Sequence, residues 1–155
     1  MAIRDTTDWA DVHQKLVLQL SETYNRKAVK FLCQLGERVV KYARDDMSAG
    51  KHYLDQTGNL RSSIGYIVVQ DGRTVYESGF KGTAEGKQEG SNYAHKVAQG
   101  LSNSKTYLVW VAGMEYASYV EARGYDVIQG SGDWLEANVE QEREAFRRYL
   151  KSKRE

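Results

Sequence analysis

Gly65-Tyr66-Ile67-Val68-Val69-Gln70-Asp71-Gly72-Arg73-Thr74-Val75-Tyr76 decides the fold class. β-Branched and aromatic residues crowd both sides of Asp71-Gly72, and Asp-Gly supplies the two positive φ angles of a two-residue type I′ turn. The spacing predicts a β-hairpin over 64–80, with Gln70 opposite Arg73, Val68 opposite Val75 and Ile67 opposite Tyr76. A further strand is expected over Thr106 to Ala112, with Tyr107, Val109 and Val111 on one face and Leu108, Trp110 and Ala112 on the other. Both faces are apolar, as in a central strand covered on two sides or a strand with one side covered by another subunit.

Outward from the hairpin the pattern turns helical. Thirteen of the 14 glycines lie between Gly50 and Gly132, and proline is absent. After the candidate cap Asp8, Trp9, Val12, Leu16 and Leu20 recur at helical spacing, and Ala28, Leu32, Leu35, Val39, Ala43 and Met47 continue the series. This predicts helix over 8–47, with the polar stretch Ser21 to Asn25 leaving one rod or two helices open. Lys81 to Gly90, with three glycines and no aliphatic residue larger than Ala84, reads as a mobile surface loop. Ser91 to Ser102 reads as a short helix with Tyr93, Ala94, Val97, Ala98 and Leu101 inward, and Glu115 to Arg123 as another ending at the C′ glycine Gly124. Tyr125 to Ile128 reads as a strand. The last helix is expected over 133–151, with Leu135, Val139, Phe146 and Leu150 in one stripe, acids early and bases late. The expected fold is α+β: one domain over 1–155, in which a small antiparallel or mixed sheet within the 57–131 middle is packed by the N-terminal helical segment, a middle helix and the C-terminal helix.

Composition excludes several classes. The 155 residues, 41% hydrophobic and 28% charged, suit a single folded core and neither a disordered chain nor a disulfide-dense scaffold. The longest apolar run, Leu108 to Met114 with Gly113 counted, is too short to span a bilayer, and the N-terminus lacks a signal-peptide pattern, so neither a membrane span nor secretion is expected. With 22 basic against 21 acidic residues, net charge gives nucleic-acid binding no support. The single cysteine, Cys33, falls on the buried side with Val29, Gly36 and Val40 and reads as a packed thiol in a reducing compartment.

No reactive constellation emerges. His13, His52 and His95 lack a His or Cys partner at a ligand spacing, so no metal is expected. Gly79, Gly82 and Gly86 match neither a P-loop nor a dinucleotide fingerprint, so no cofactor site is expected either. Glu115, Glu121 and His95 form the acid-base set an enzyme would have to use. Arg143, Arg147, Arg148, Lys151, Lys153 and Arg154 are the bases a nucleic-acid module would use, although Glu140, Glu142 and Glu144 neutralise the preceding turn. Eleven tyrosines, large side chains with a polar tip, lean toward assembly surfaces.

Two segments carry a family resemblance. Thr57-Gly58-Asn59-Leu60-Arg61-Ser62-Ser63-Ile64 resembles the Thr-Gly-x-Leu-Arg-x-Ser-Ile signature of tailed-bacteriophage minor tail components, the neck or tail-completion proteins. Tyr116-Ala117-Ser118-Tyr119-Val120-Glu121-Ala122-Arg123-Gly124 is similar to that family's Tyr-Ala-x-Tyr-Val-Glu-x-Gly element. Both motifs also have plain physical readings: Gly58 permits a left-handed turn, Asn59 can cap, Leu60 and Ile64 point inward, and Tyr116 and Val120 share a helical side with Glu121 opposite. The chain departs from the family where a Pro-Phe-Leu-x-Pro-Ala ending is common, since Gly130-Ser131-Gly132-Asp133-Trp134-Leu135 has no proline. The resemblance implies a non-enzymatic virion protein, found in the host cytoplasm during assembly, that acts in head-tail joining or tail completion as a ring. It implies other neck or tail proteins as partners, no cofactor, and neither membrane nor nucleic acid. Lys81, Glu85, Lys87 and Glu89 are then the expected interface, on a loop that orders only on assembly and whose removal over 82–89 spares the fold; the isolated chain is expected to be largely monomeric.

Overall fold

In the computed structural model, which describes residues 8–44 and 57–152, the first hairpin strand, β1 (Ile64–Gln70), is the middle of a three-stranded antiparallel sheet ordered β2-β1-β3, with β2 spanning Arg73–Gly79 and β3 Thr106–Ala112. Five helices complete an α+β fold: α1 (Trp9–Arg44), α2 (Asn59–Ser62), α3 (Ala84–Gln99), α4 (Ala117–Ala122) and α5 (Gln129–Lys151).

The turn is type I′ in character, with φ of 51° at Asp71 and 79° at Gly72. Gln70 pairs with Arg73, but the predicted register fails beyond Thr74: Val68 faces Tyr76 and Ile67 faces Glu77. A bulge opposite the Val68/Val69 step takes up Val75 as an extra residue. The one-residue shift turns Tyr76 to the face that carries Tyr66, and the two rings sit 6.0 Å apart.

The apolar two-faced strand β3 lies at the sheet edge and not at its centre. The Gly113 N–H bonds the Ser63 carbonyl, which sets the alternation: Val109 and Val111 turn their backbone groups to β1, while Leu108, Trp110 and Ala112 turn theirs to the open edge. The slowest-exchanging amides are therefore expected in β1, paired on both sides, and not across Val109 to Val111. Both faces of β3 are covered by helices of the same chain. Val109 and Val111 join Ile67, Val69, Phe80 and Ala94 under α3, while Leu108, Trp110 and Ala112 pack with Tyr66, Val68 and Val40 under α1.

α1 is one continuous helix of 36 residues, a rod of roughly 54 Å at the helical rise. Asp8 caps it, accepting the N–H groups of Ala10 and Asp11 at 3.1 and 3.2 Å. Residues 45–47 of the predicted helix lie outside the described residues.

Lys81 to Gly90 is not a mobile loop. Helix α3 starts at Ala84, with the Thr83 hydroxyl accepting the Gly86 N–H at 3.1 Å. Gly86 and Gly90 are buried where the helix runs against its neighbours: a Cβ would come within 2.5 Å of the Asn59 carbonyl oxygen at Gly86 and of the Phe80 ring at Gly90. These glycines buy contact, not flexibility, and deleting 82–89 would remove the Thr83 cap and the Gly86 contact. Tyr125 to Ile128 likewise forms no strand. Helix α5 begins at Gln129, earlier than expected, because the Glu121 carboxylate accepts the N–H groups of Ile128 (3.0 Å) and Gln129 (2.6 Å) and Asp126 accepts that of Gly130 (2.9 Å).

Candidate functional site

The first family-like segment forms a joint between elements. Gly58 has φ +76°, in the left-handed region, and the Thr57 hydroxyl accepts the Asn59 N–H at 3.2 Å. Asn59 does not cap its own turn. Its side chain accepts the Thr83 hydroxyl proton at 2.5 Å and donates to Glu85 at 3.0 Å, tying α2 to the start of α3. Leu60, 2% exposed, packs with Ala117 and Val127, while Arg61 is half-buried. The fully buried Ser63 hydroxyl donates to the Leu60 carbonyl and accepts from the N–H of Gly113 (3.1 Å) and Met114 (3.3 Å), holding the end of β3.

The second segment holds the entry to α5. Ala117 is the buried member and Val120 is half-buried, whereas Tyr116 is exposed, contrary to its expected inward side. Tyr119 is exposed too and receives a 2.8 Å hydrogen bond from Arg123, whose guanidinium lies over its ring. Glu121 does not stand opposite the packing side; it caps α5 as described. Gly124 closes α4 with φ +91° and donates to the Glu121 carbonyl.

The charges expected at an interface stand on or beside α3. The Lys81 carbonyl accepts from Arg44 at 3.1 Å, Glu85 holds Asn59, and the Lys87 and Glu89 side chains are exposed on the helix. His95, Glu121 and Glu115 are not drawn into one constellation. His95 lies with the hairpin, its Nε2 3.2 Å from Glu77 and its Nδ1 3.2 Å from the Thr74 hydroxyl, while Glu121 serves α5. Ser91 also donates to Glu77, so this exposed carboxylate is shared between a hydroxyl and the His95 imidazole, whose other nitrogen meets the Thr74 hydroxyl. Among the described residues no three His, Cys, Asp or Glu side chains stand together as metal ligands would, and no helix is long and apolar enough to cross a membrane. Arg143 pairs with Glu140 at 2.9 Å and Arg147 with Glu144 at 3.5 Å; Lys153 and Arg154 lie outside the described residues. Cys33 is half-buried, and burial, then the neighbouring Glu37, pushes its thiol pKa up, away from thiolate reactivity.

The largest unsatisfied feature is apolar. Residues 10–22 of α1 are exposed without interruption, and Leu16 (53%) and Leu20 (62%), expected to face inward, stand in solvent with Val12, Val17 and Tyr24. The same helical face is covered further along by α5, where Phe146 packs against Tyr24 and Phe31 with ring centroids 6.0 and 5.0 Å apart. Cover ends between Tyr24 and Glu22. Lys27 is only 6% exposed, and its ammonium donates to the carbonyls of Tyr149, Leu150 and Ser152 at 3.2, 3.3 and 2.6 Å, meeting the negative end of α5. Beside this seam a groove of about 560 Å³ opens between α1 and α5, floored by Ala28, Phe31, Leu35, Leu135, Val139 and Phe146. Sequence reasoning missed Lys27, although a lysine between Tyr24 and Phe31 on one helical face was its signal.

Compared with known proteins, the chain matches no family model, no curated protein and no solved structure.

Proposed function

We propose that this chain is a non-enzymatic component of a tailed-phage virion, working at the neck in head-tail joining or tail completion as a member of a ring. The observation that carries the assembly part is the bare apolar face of α1 from Val12 to Tyr24. Solitary proteins rarely leave contiguous apolar patches beyond roughly 300–600 Å², and larger ones mark interaction surfaces. The phage part rests on the two sequence motifs alone. Their side chains are engaged in joints between elements, which suits a scaffold whose work is shape. Its partners are then other neck or tail proteins, reached in the host cytoplasm and retained in the virion, with no cofactor.

Deleting the gene from a phage that carries it tests the proposal. Electron micrographs should show filled heads and separate tails, or tails with faulty upper ends. Normal infectious particles would overturn the reading.

A further inference from the structure

We infer that the open edge of β3 takes up an extended segment of a different polypeptide as a fourth strand, apolar on both sides and carrying one basic residue. The sheet has two edges and guards only one of them. β2 carries Arg73, Glu77 and the bulge at Val75, features that hinder pairing with a further strand. β3 has no charged residue, no proline and an unshifted register against β1. On its outer side the N–H and C=O groups of Leu108, Trp110 and Ala112 have no hydrogen-bond partner among the described residues.

That bare ladder lies in a groove of about 480 Å³. Val97 and Leu101 wall it on the α3 face of the sheet, and Trp110 and Ile128 on the α1 face, where the Trp110 indole donates to the Ser131 hydroxyl at 3.1 Å and is held in place. A helix seated here would leave the β3 backbone groups unpaired, whereas a strand pairs them and turns its side chains alternately to the two walls. Enclosed on both faces, such a strand is apolar at nearly every position. The one ionised side chain in the lining is Glu121. Its carboxylate accepts the N–H groups of Ile128 and Gln129 and has no cationic partner among the described residues, so a single lysine or arginine in the guest answers it. No strand of this chain has that make-up: β1 is paired on both edges, β2 brings an acid along with its base, and β3 has no base. The occupant is therefore a segment of another protein and not a second copy.

The test titrates the full-length, nitrogen-15-labelled chain with the capped heptapeptide Thr-Val-Ile-Arg-Val-Val-Thr. Two controls accompany it, one with glutamate in place of the arginine and one with the three central amides N-methylated. The arginine peptide should bind saturably and slow amide exchange at Leu108, Trp110 and Ala112, while Val109 and Val111, already bonded to β1, change little. The N-methylated peptide should not bind, and the glutamate peptide should bind more weakly. Glu121→Gln keeps an oxygen to accept the α5 N–H groups, so it should weaken the arginine peptide by roughly twofold to fivefold and erase the preference for arginine over glutamate. Should circular dichroism show that this variant misfolds, the arginine and glutamate peptides test the same contact on the parent. Equal binding of the N-methylated peptide would mean plain apolar adhesion and would overturn the inference, as would failure of the arginine peptide to bind. Protection of Leu108, Trp110 and Ala112 that grows with the concentration of the protein alone would give the edge to a second copy, and would overturn it too.

Discussion

The two halves of α1 have the same periodicity and opposite surroundings. From Lys27 to Arg44 the apolar side is closed: Val39 is fully buried, and Ala28, Leu35, Val40 and Ala43 are nearly so, under α5 and the sheet. From Ala10 to Glu22 every residue is exposed. A helical stripe of leucine and valine thus records that a helix has a partner, while leaving unsaid whether that partner belongs to the same chain. The boundary lies near the end of α5, whose last carbonyls are held by the Lys27 ammonium.

The largest expected effect lies in the closed half. Leu35→Ala removes a buried side chain between α1 and α5 and should cost about 2–5 kcal/mol by chemical denaturation. An unchanged midpoint would mean that this half is as loosely held as the other, and the comparison would collapse. At the boundary, Lys27→Met takes the ammonium away from the carbonyls of Leu150 and Ser152, while that of Tyr149 keeps the Ser152 N–H and hydroxyl, and should cost about 1–3 kcal/mol, together with faster amide exchange in the last turn of α5. A variant of parental stability would show that the helix end is satisfied without the ammonium.

Much of the fold was legible because it follows from local chemistry. Asp71-Gly72 marks the hairpin, and alternation along 107–112 divides the faces of β3 correctly. What escaped depends on distant contacts. The start of α3 looks like a loop because its glycines are read as freedom, whereas packing against Asn59 and Phe80 requires them; Thr83 followed by Glu85 was the available cap signal. The bulge at Val75 and the central place of β1 have no local signature. For the candidate site, the stripe from Val12 to Leu20 was visible and its exposure was not, because cover is a property of where α5 stops.

Alkaline pH gives a smaller effect, again confined to the closed half. Tyr66 is fully buried against α1, its hydroxyl 2.8 Å from a Glu37 carboxylate oxygen and 3.0 Å from the Cys33 carbonyl. Burial first, and the bond to Glu37 second, hold its pKa far above the ordinary 10.0. The folded value is raised above the unfolded one, so the associated stability is complete below about pH 10 and declines as pH climbs toward the folded value, since only the unfolded chain ionises this residue. Tyr66→Phe should be less stable at neutral pH but should lose less on going above pH 10. Equal slopes for parent and variant would show that Tyr66 ionises in the folded state.

The smallest effect tests the open half. Leu20 is 62% exposed, so Leu20→Ala gives up little burial within one molecule, and the stability of the monomer, measured at high dilution, should move by no more than about 0.5 kcal/mol. Alanine also has the better helix propensity, by a few tenths of a kcal/mol at most, which offsets part of even that loss. A shift above about 1 kcal/mol in dilute protein would mean that Leu20 is covered by its own chain in solution, with the two halves of α1 differing in degree and not in kind. If dilute protein is unmoved while the same substitution lowers the midpoint at high concentration, the missing contact is intermolecular. Stability that rises with concentration in the parent is the mass-action signature of association, and here it should be lost through one side chain that makes no difference to the isolated fold.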